Sequence, residues 1–365
     1  MIFCANPASQ FRSYQVEIEK AVLAVMRGNN YILGREVSAL EEEFANYIET
    51  TFAIGVANGT DAIEISLRAL EIGPGDEVIT VSHTAVATVA AIEATGATAV
   101  LVDIEPVLYT LNSIQLSEVF TERTKAVIAV HLYGQSADLD AISSFCKINK
   151  LFLIEDVSQA HGAKYKGKRL GGIGHLGCFS CYPTKNLGAI GDAGIITTND
   201  ETLAKKIRML REYGWDNRIS KIVGRNSRLD EIQAAILRVK LKYLDIDNAK
   251  RVNLANYYNK QLSNLPIVLP VIREEGNSVY HLFVVQVDKR DELLESLKQK
   301  NIYLGIHYPS PVHRQPAYKN RVLRAVDLSV TENLVERIVS LPIYPEFKVN
   351  DAQKVVEAIA LFENN

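Results

Sequence analysis

Short apolar runs alternate with longer amphipathic stretches along most of the chain. Apolar runs too short for a helix are typical of strands buried on both faces. They predict strands at residues 53–57, 77–82, 98–104, 125–131, 151–156, 178–182 and 193–198. Hydrophobic residues at helical spacing predict helices at residues 17–27, 37–47, 62–70, 84–94, 139–147 and 201–213, and a long helical region at 229–262. This alternation implies right-handed crossovers and a mixed, mainly parallel sheet with helices on both faces.

The C-terminal part of the chain has a different pattern. It predicts strands at residues 280–287 and 302–307 and helices at 290–300, 331–340 and 351–362. A chain of 365 residues exceeds one typical domain. We therefore expect a large domain at residues 1–247 and a smaller α/β domain at 248–365, connected by the long helix.

Charge and composition exclude several functional classes. The net charge of −3 is spread along the chain, without the basic stripe that nucleic-acid binding requires. Neither a signal-peptide pattern nor an apolar run of membrane-spanning length is found, so a cytoplasmic protein is expected. The four cysteines are too few for a disulfide framework. Cys178 and Cys181 lie in an apolar run with no second such pair, which indicates buried thiols and no metal site.

An aspartate and a lysine follow two of the predicted strands. Asp156 ends the strand at residues 151–156, and Lys185 lies in a loop bounded by Pro183 and Gly188. Parallel sheets bind ligands where their strands end. The two side chains could form a salt bridge, or they could hold pyridoxal phosphate. In such a site a lysine binds the cofactor as a Schiff base, and a carboxylate keeps the ring nitrogen protonated.

A possible phosphate site precedes the helix predicted at residues 62–70. Thr60 is placed to cap that helix, and Gly59 allows close approach of the backbone. The free N–H groups and dipole of a helix N-terminus favour a phosphate. The same residues are also consistent with an ordinary capped helix.

The glycines at residues 172–177 match the G-x-G-x-x-G dinucleotide pattern. That pattern works after a strand and at the start of a helix. Here it follows a lysine-rich hairpin at residues 164–169 and leads into a strand. Flexible turn glycines are therefore favoured over a nucleotide site.

Several ordered motifs resemble the DegT/DnrJ/EryC1/StrS family of sugar aminotransferases, which are fold type I pyridoxal phosphate enzymes. They are YILG at residues 31–34, GVANGTDA at 55–62, HLYGQ at 131–135, EDVSQAHGA at 155–163, YPTKNLG at 182–188, GDAG at 191–194, NSRLDEIQAA at 226–235 and HYP at 307–309. The resemblance covers nearly the whole chain. It implies a three-layer α/β fold with a smaller C-terminal domain and a homodimer with shared active sites.

The resemblance assigns cofactor roles to individual residues. Lys185 would bind pyridoxal phosphate, Asp156 would pair with its ring nitrogen and Gln159 would reach its ring hydroxyl. The phosphate end would be held by Gly59, Thr60 and Ser180, joined by Asn226 of the partner subunit. Asp61 is a further cofactor-binding candidate. Many relatives stack an aromatic residue on the ring where this chain has Ala85. His83 is the candidate substitute.

The substrates implied are L-glutamate and a nucleotide-linked keto sugar, with dTDP as the expected nucleotide. The HLYGQ and QAHG motifs resemble the subgroup that aminates C3 of a 6-deoxyhexose, and amination at C4 is the alternative. Candidate contacts are Tyr182, His161, Lys221, Arg228, His307, Tyr308 and His313. The histidines could equally be structural, and Arg228 could instead hold the donor carboxylate.

Other classes fit the residues less well. A pyridoxal phosphate-binding regulator would need a DNA-binding module, and no basic helical segment is found. A sugar dehydratase of this fold would have histidine in place of Lys185. A nicotinamide-dependent oxidoreductase depends only on the glycines at residues 172–177.

Overall fold

The computed structural model describes residues 1–363. Its strands are β1 (Ile2–Phe3), β2 (Phe52–Val56), β3 (Glu77–Val81), β4 (Thr98–Val102), β5 (Thr124–Val130), β6 (Phe152–Asp156), β7 (Lys164–Tyr165), β8 (Lys168–Arg169), β9 (Leu176–Ser180), β10 (Gly194–Thr198), β11 (Trp215–Asp216), β12 (Ile219–Ser220), β13 (Phe283–Gln286), β14 (Ile302–Tyr303), β15 (Leu323–Arg324) and β16 (Ile338–Leu341). Its α-helices are α1 (Pro7–Ser13), α2 (Gln15–Met26), α3 (Arg35–Ile48), α4 (Gly59–Ala69), α5 (Val86–Thr95), α6 (Leu116–Val119), α7 (Leu139–Asn149), α8 (Glu201–Leu210), α9 (Glu231–Leu241), α10 (Leu244–Leu262), α11 (Arg290–Gln299), α12 (Ser329–Leu334) and α13 (Val349–Glu363).

The central sheet has eight strands in the order β15-β4-β3-β5-β6-β9-β10-β2. All neighbours from β15 to β9 pair in parallel, and β10 runs antiparallel to both β9 and β2. Every residue of β3 and β10 is buried, as expected for strands covered on both faces. The mixed, mainly parallel three-layer α/β fold predicted from the sequence is confirmed.

A second hydrophobic core forms the smaller unit. It contains residues from α10, α11, α13, β13 and β16. The chain enters this unit along α10, because Leu244 packs in the large core and Leu254 in the small one. Two short strands connect the units in addition to α10. The N-terminal β1 pairs with β14, and the C-terminal β15 extends the central sheet beside β4. The division at residue 248 stays a prediction.

Some predicted elements of the C-terminal part were wrong. The helix predicted at residues 331–340 ends at Leu334, and residues 338–341 form β16, which pairs antiparallel with β13. This short run is fully buried, and a two-stranded ladder satisfies its backbone. The strand predicted at 302–307 is limited to β14. The helical region predicted at 229–262 is two helices separated at residues 242–243.

The direction of the strands determines where a ligand can bind. Since β2, β5, β6 and β9 run the same way, their carboxyl ends meet at one edge. The antiparallel β10 brings its first residue, Gly194, to that edge opposite Ser180. Within residues 1–363, no helix combines the length and apolar composition that a membrane span needs.

Candidate active site

A cavity of about 620 Å³ opens at this edge of the sheet. It brings together ten residues that the sequence singles out: Gly59, Thr60, Asp61, Asp156, Gln159, Ser180, Tyr182, Lys185, His307 and Tyr308. They come from the ends of three parallel strands, from the loop after β9 and from the segment after β14. A cavity that converges polar groups at strand ends is the usual ligand site of an α/β sheet.

Asp156 and Lys185 both line this cavity. The Asp156 carboxylate ends β6 and accepts hydrogen bonds from the Thr88 hydroxyl (2.8 Å) and the Ser158 N–H (3.2 Å). Desolvation lowers the pKa of Lys185 to about 8, although the charge of Asp156 acts in the opposite direction. Lys185 therefore gives up its proton more easily than an ordinary lysine.

The N-terminus of α4 forms one end of the cavity. Asn58 is the N-cap, since its side-chain oxygen accepts from the Asp61 N–H at 2.8 Å. The expectation that Thr60 caps this helix was wrong, because α4 begins at Gly59, three residues before the predicted start, and Thr60 lies inside it. A Cβ on Gly59 would lie 2.5 Å from the Ser180 Cβ. Only glycine lets the helix N-terminus and the end of β9 approach so closely.

The Gln159 side chain connects two sides of the cavity. Its oxygen accepts from the Tyr133 N–H, and its amide nitrogen donates to the Tyr308 hydroxyl, both at 2.8 Å. Burial raises the pKa of Tyr308 to about 12, so the hydroxyl stays protonated. The orientation of the Gln159 amide is thus determined by a backbone donor.

These residues fit pyridoxal phosphate. The N–H groups of α4 and the Ser180 hydroxyl surround a space at Gly59 suited to a phosphate. Asp156 supplies a hydrogen-bonded carboxylate for a pyridine nitrogen, and Lys185 supplies an amine. Bound there, the cofactor supplies an electron sink for the substrate.

His83 does not reach the cavity. Its ring is buried, and Nε2 lies 2.6 Å from the Tyr133 hydroxyl. Ala85, at the start of α5, lines the cavity instead. The chain bends at residues 82–84 between β3 and α5, so His83 and Ala85 have different neighbours. The structure therefore does not place His83 at the ring contact that the resemblance implies.

Two of the predicted substrate histidines lie elsewhere. His313 is buried, with Nδ1 2.7 Å from the Ser82 hydroxyl and Nε2 2.9 Å from Glu332. His161 is fully buried and packs against Phe179, with ring centroids 5.5 Å apart. Neither lines the cavity, because the surrounding core encloses both rings.

Three predicted residues lie on the segment that connects α8 to α9, away from their own chain's cavity. Lys221 and Asn226 are exposed, and Asn226 forms a β-bridge with Glu212. Arg228 is 3.5 Å from the Glu212 carboxylate and lies over the Tyr213 ring. Within one chain, these residues do not contribute to the cavity.

The glycines at residues 172–177 have a structural role that the sequence did not show. The buried Glu155 carboxylate accepts from the N–H groups of Gly171 (2.8 Å), Ile173 (2.8 Å) and Gly174 (2.7 Å). The His131 Nε2 lies 3.1 Å from the same carboxylate. An internal carboxylate thus occupies the backbone donors that a dinucleotide would require.

Cys178 and Cys181 are buried free thiols, as predicted. Burial raises the pKa of Cys181 to about 12, so neither a thiolate nor a metal ligand is expected there.

Thr88, Asp192 and His281 belong to the site but were not predicted from the sequence. The last two line the cavity, and only the tertiary structure brings them there.

Together the fold and the site define a fold type I pyridoxal phosphate enzyme. The sequence profile of the DegT/DnrJ/EryC1/StrS aminotransferase family matches residues 12–360. The chain is 46% identical over 347 residues to dTDP-3-amino-3,6-dideoxy-alpha-D-galactopyranose transaminase of Aneurinibacillus thermoaerophilus (95% of each chain). It is 42% identical over 351 residues to dTDP-3-amino-3,4,6-trideoxy-alpha-D-glucose transaminase of Streptomyces venezuelae (96% and 93%).

The solved structures agree with these relatives. The crystal structure of S. venezuelae DesV in complex with a ketimine intermediate superposes with a TM-score of 0.97 at 40% identity, covering 100% of this chain and 99% of DesV. This chain belongs to the DegT/DnrJ/EryC1/StrS aminotransferase family. It is a pyridoxal phosphate-dependent nucleotide-sugar aminotransferase.

Proposed function

We propose that this enzyme transfers the amino group of L-glutamate to C3 of a dTDP-linked 3-keto-6-deoxyhexose. The observation that carries this proposal is the polar cavity with Asp156 and Lys185, in a chain whose relatives are named for dTDP-3-amino sugars. The product would be a 3-amino sugar for glycan or lipopolysaccharide synthesis. A cytoplasmic location stays a prediction from the sequence.

Lys185 is the proposed base of both half-reactions. As a free amine with a pKa of about 8, it can take the Cα proton of the amino acid and return a proton on the cofactor side. Asp156, oriented by the Thr88 hydroxyl, would hold the ring nitrogen of the cofactor. The sugar then receives the amine by the same steps in reverse, so ping-pong kinetics are expected.

Tyr182, His307 and Tyr308 are the proposed contacts of the keto sugar. All three line the cavity, and Tyr182 is half-exposed at its opening. The His307 Nδ1 is held 2.8 Å from the Ser340 hydroxyl, and burial lowers its pKa to about 4. A neutral imidazole and two phenols suit sugar hydroxyl groups, which both donate and accept hydrogen bonds.

The homodimer is also a proposal. Asn226, Lys221 and Arg228 would complete the partner's cavity, where a cation could meet the diphosphate or the donor carboxylate. An exposed apolar patch supports such an interface. It consists of Tyr31, Ile32, Ile190 and Ile232. The segments that carry it are joined, because Ile32 forms a bridge with Asp230 and Ile190 hydrogen-bonds Gln233.

Paired substrates test the position of amination. The purified enzyme is incubated with glutamate and either a 3-keto or a 4-keto dTDP-6-deoxyhexose, and NMR locates the new amine. We expect a 3-amino product, with none from Lys185→Ala. Product aminated only at C4 would overturn the choice of position, and no product from either sugar would overturn the proposed substrate class.

A further inference from the structure

His281 is the cavity residue whose role the proposed mechanism leaves open. It lies two residues before the start of β13, and its side chain is buried at the cavity wall. Its Nδ1 lies 3.2 Å from the side-chain oxygen of Asn186, the residue next to Lys185. The contacts of Asn186 determine which nitrogen of the ring carries the proton.

The side-chain amides of Asn186 and Asn248 form a chain of hydrogen bonds that ends on backbone carbonyls. Because a carbonyl can only accept, the direction of each bond is determined. The Asn186 amide nitrogen donates to the Val279 carbonyl (3.1 Å) and to the Asn248 side-chain oxygen (2.8 Å). Asn248 in turn donates to the His161 carbonyl at 2.9 Å. Both N–H groups of Asn186 are therefore used, so its oxygen faces His281 and must accept.

It follows that His281 carries its proton on Nδ1 and has a lone pair on Nε2. Burial lowers the pKa of His281 well below its ordinary value, which keeps the ring neutral. Nε2 has no hydrogen-bond partner within residues 1–363. It is also not sealed by protein atoms, unlike the ring nitrogens of His161.

We infer that His281 Nε2 is a hydrogen-bond acceptor for a substrate O–H or N–H group beside Lys185. Lys185 and Tyr308 line the same cavity and can both donate and accept hydrogen bonds, whereas a neutral His281 with its proton on Nδ1 offers only an acceptor there. A neutral nitrogen that can only accept selects a substrate with a donor at that place. The donor is a hydroxyl of the keto sugar or the amino group of glutamate. This inference depends on the proposed function.

Two matched variants distinguish the roles of Nδ1 and Nε2 of His281. His281→Asn keeps an N–H near the Nδ1 position for Asn186 but removes the acceptor in the cavity. His281→Gln places an amide oxygen near the Nε2 position and gives up the Nδ1 donor. The affinity of the glutamate-free enzyme for the dTDP-3-amino sugar product is measured by calorimetry, beside KM and kcat for each half-reaction.

Loss of one hydrogen bond to the substrate should weaken binding about tenfold in His281→Asn, with wild-type thermal stability. His281→Gln should recover at least half of the binding free energy that His281→Asn loses. A rise confined to the sugar KM and to product binding identifies a sugar hydroxyl, and a rise confined to glutamate identifies the amino group.

Wild-type binding and KM values in His281→Asn would overturn the inference, and so would equal losses in both variants. Failure of the proposed function is seen separately, because the wild-type enzyme itself would then aminate neither keto sugar. The two results cannot be confused.

Discussion

The lysine at the centre of the site owes its chemistry to its surroundings. Only the free amine of Lys185 can react with a carbonyl group. Because its pKa is about 8, the rate at which the apoenzyme takes up pyridoxal phosphate should rise with pH, with its midpoint near pH 8. An ordinary lysine would titrate near pH 10.4. The measurement is the appearance of the visible absorption band across this pH range.

Asp156→Asn is the control for this prediction. The carboxylate raises the pKa of Lys185, so its removal should move the midpoint of uptake to lower pH, whatever the final affinity. An unchanged midpoint in the variant would contradict the electrostatic explanation.

Thr88 should act through Asp156. Its buried hydroxyl donates to the carboxylate at 2.8 Å. Thr88→Val removes this donor with little change in volume, and should cost about 1 kcal/mol of stability and lower kcat. The pH dependence of the visible band should shift as well, because the carboxylate loses a group that stabilises its charge.

Thr80→Val, in β3, is a matched variant. The buried Thr80 hydroxyl donates to the Ile128 carbonyl and does not touch Asp156. A similar loss of stability with an unchanged spectrum is expected. If both variants shift the spectrum equally, Thr88 has no specific role in orienting the carboxylate.

Among the structural elements, the turn whose N–H groups bind the Glu155 carboxylate connects β8 to β9. Burial disfavours the charged form, yet hydrogen bonds from His131, Gly171 and Gly174 hold the pKa of Glu155 below its usual range. Glu155→Gln introduces an amide opposite backbone donors, so it should lower the free energy of unfolding by about 3 kcal/mol near pH 7.

The pH dependence gives a second measurement on the same variant. A carboxyl group with a depressed pKa stabilises the fold above its unfolded value of about 4.3, and this contribution is lost as the pH falls through the folded value. The difference between wild type and Glu155→Gln in urea unfolding should therefore shrink in acid. Glu201→Gln, at an exposed pair with Lys205, should show almost no difference at any pH.

Helices and strands with a clear hydrophobic period lie close to the limits predicted from the sequence. Strands that depend on pairing with a distant partner do not. The large-domain strands lie within one or two residues of their predicted limits, since a short apolar run can be satisfied only by burial. By contrast, the sequence predicts a helix across part of β16, because Leu334, Ile338 and Val339 have helical spacing. Only the pairing with β13 makes residues 338–341 a strand.

At the scale of the whole molecule, the shared active site can be tested with mixed oligomers. Lys185→Ala and Asn226→Ala should each be inactive alone. If Asn226 serves the partner's cavity, a mixed dimer contains one intact site, so an equal mixture should regain about a quarter of wild-type activity. The measurement is product formation after the two variants are refolded or co-expressed together.

A mixture of Lys185→Ala and Asp156→Asn is the negative control. Both residues line the cavity of their own chain, so no mixed dimer contains an intact site. Activity in this control mixture would contradict the proposal that the two subunits share their active sites. So would a lack of activity in the mixture of Lys185→Ala and Asn226→Ala.

The sequence by itself determined the α/β alternation, the family and the positions of Asp156 and Lys185 after two strands, because these depend on local periodicity and on motifs that are continuous in the chain. Only the tertiary structure decided what occupies the glycine-rich turn, that Ala85 and not His83 faces the cavity, and which nitrogen of His281 carries the proton. Those outcomes depend on hydrogen bonds between residues far apart in the chain, such as Glu155 with Gly171 or His281 with Asn186. No local pattern encodes such contacts, since any buried donor or acceptor can be satisfied by many partners until the chain is folded.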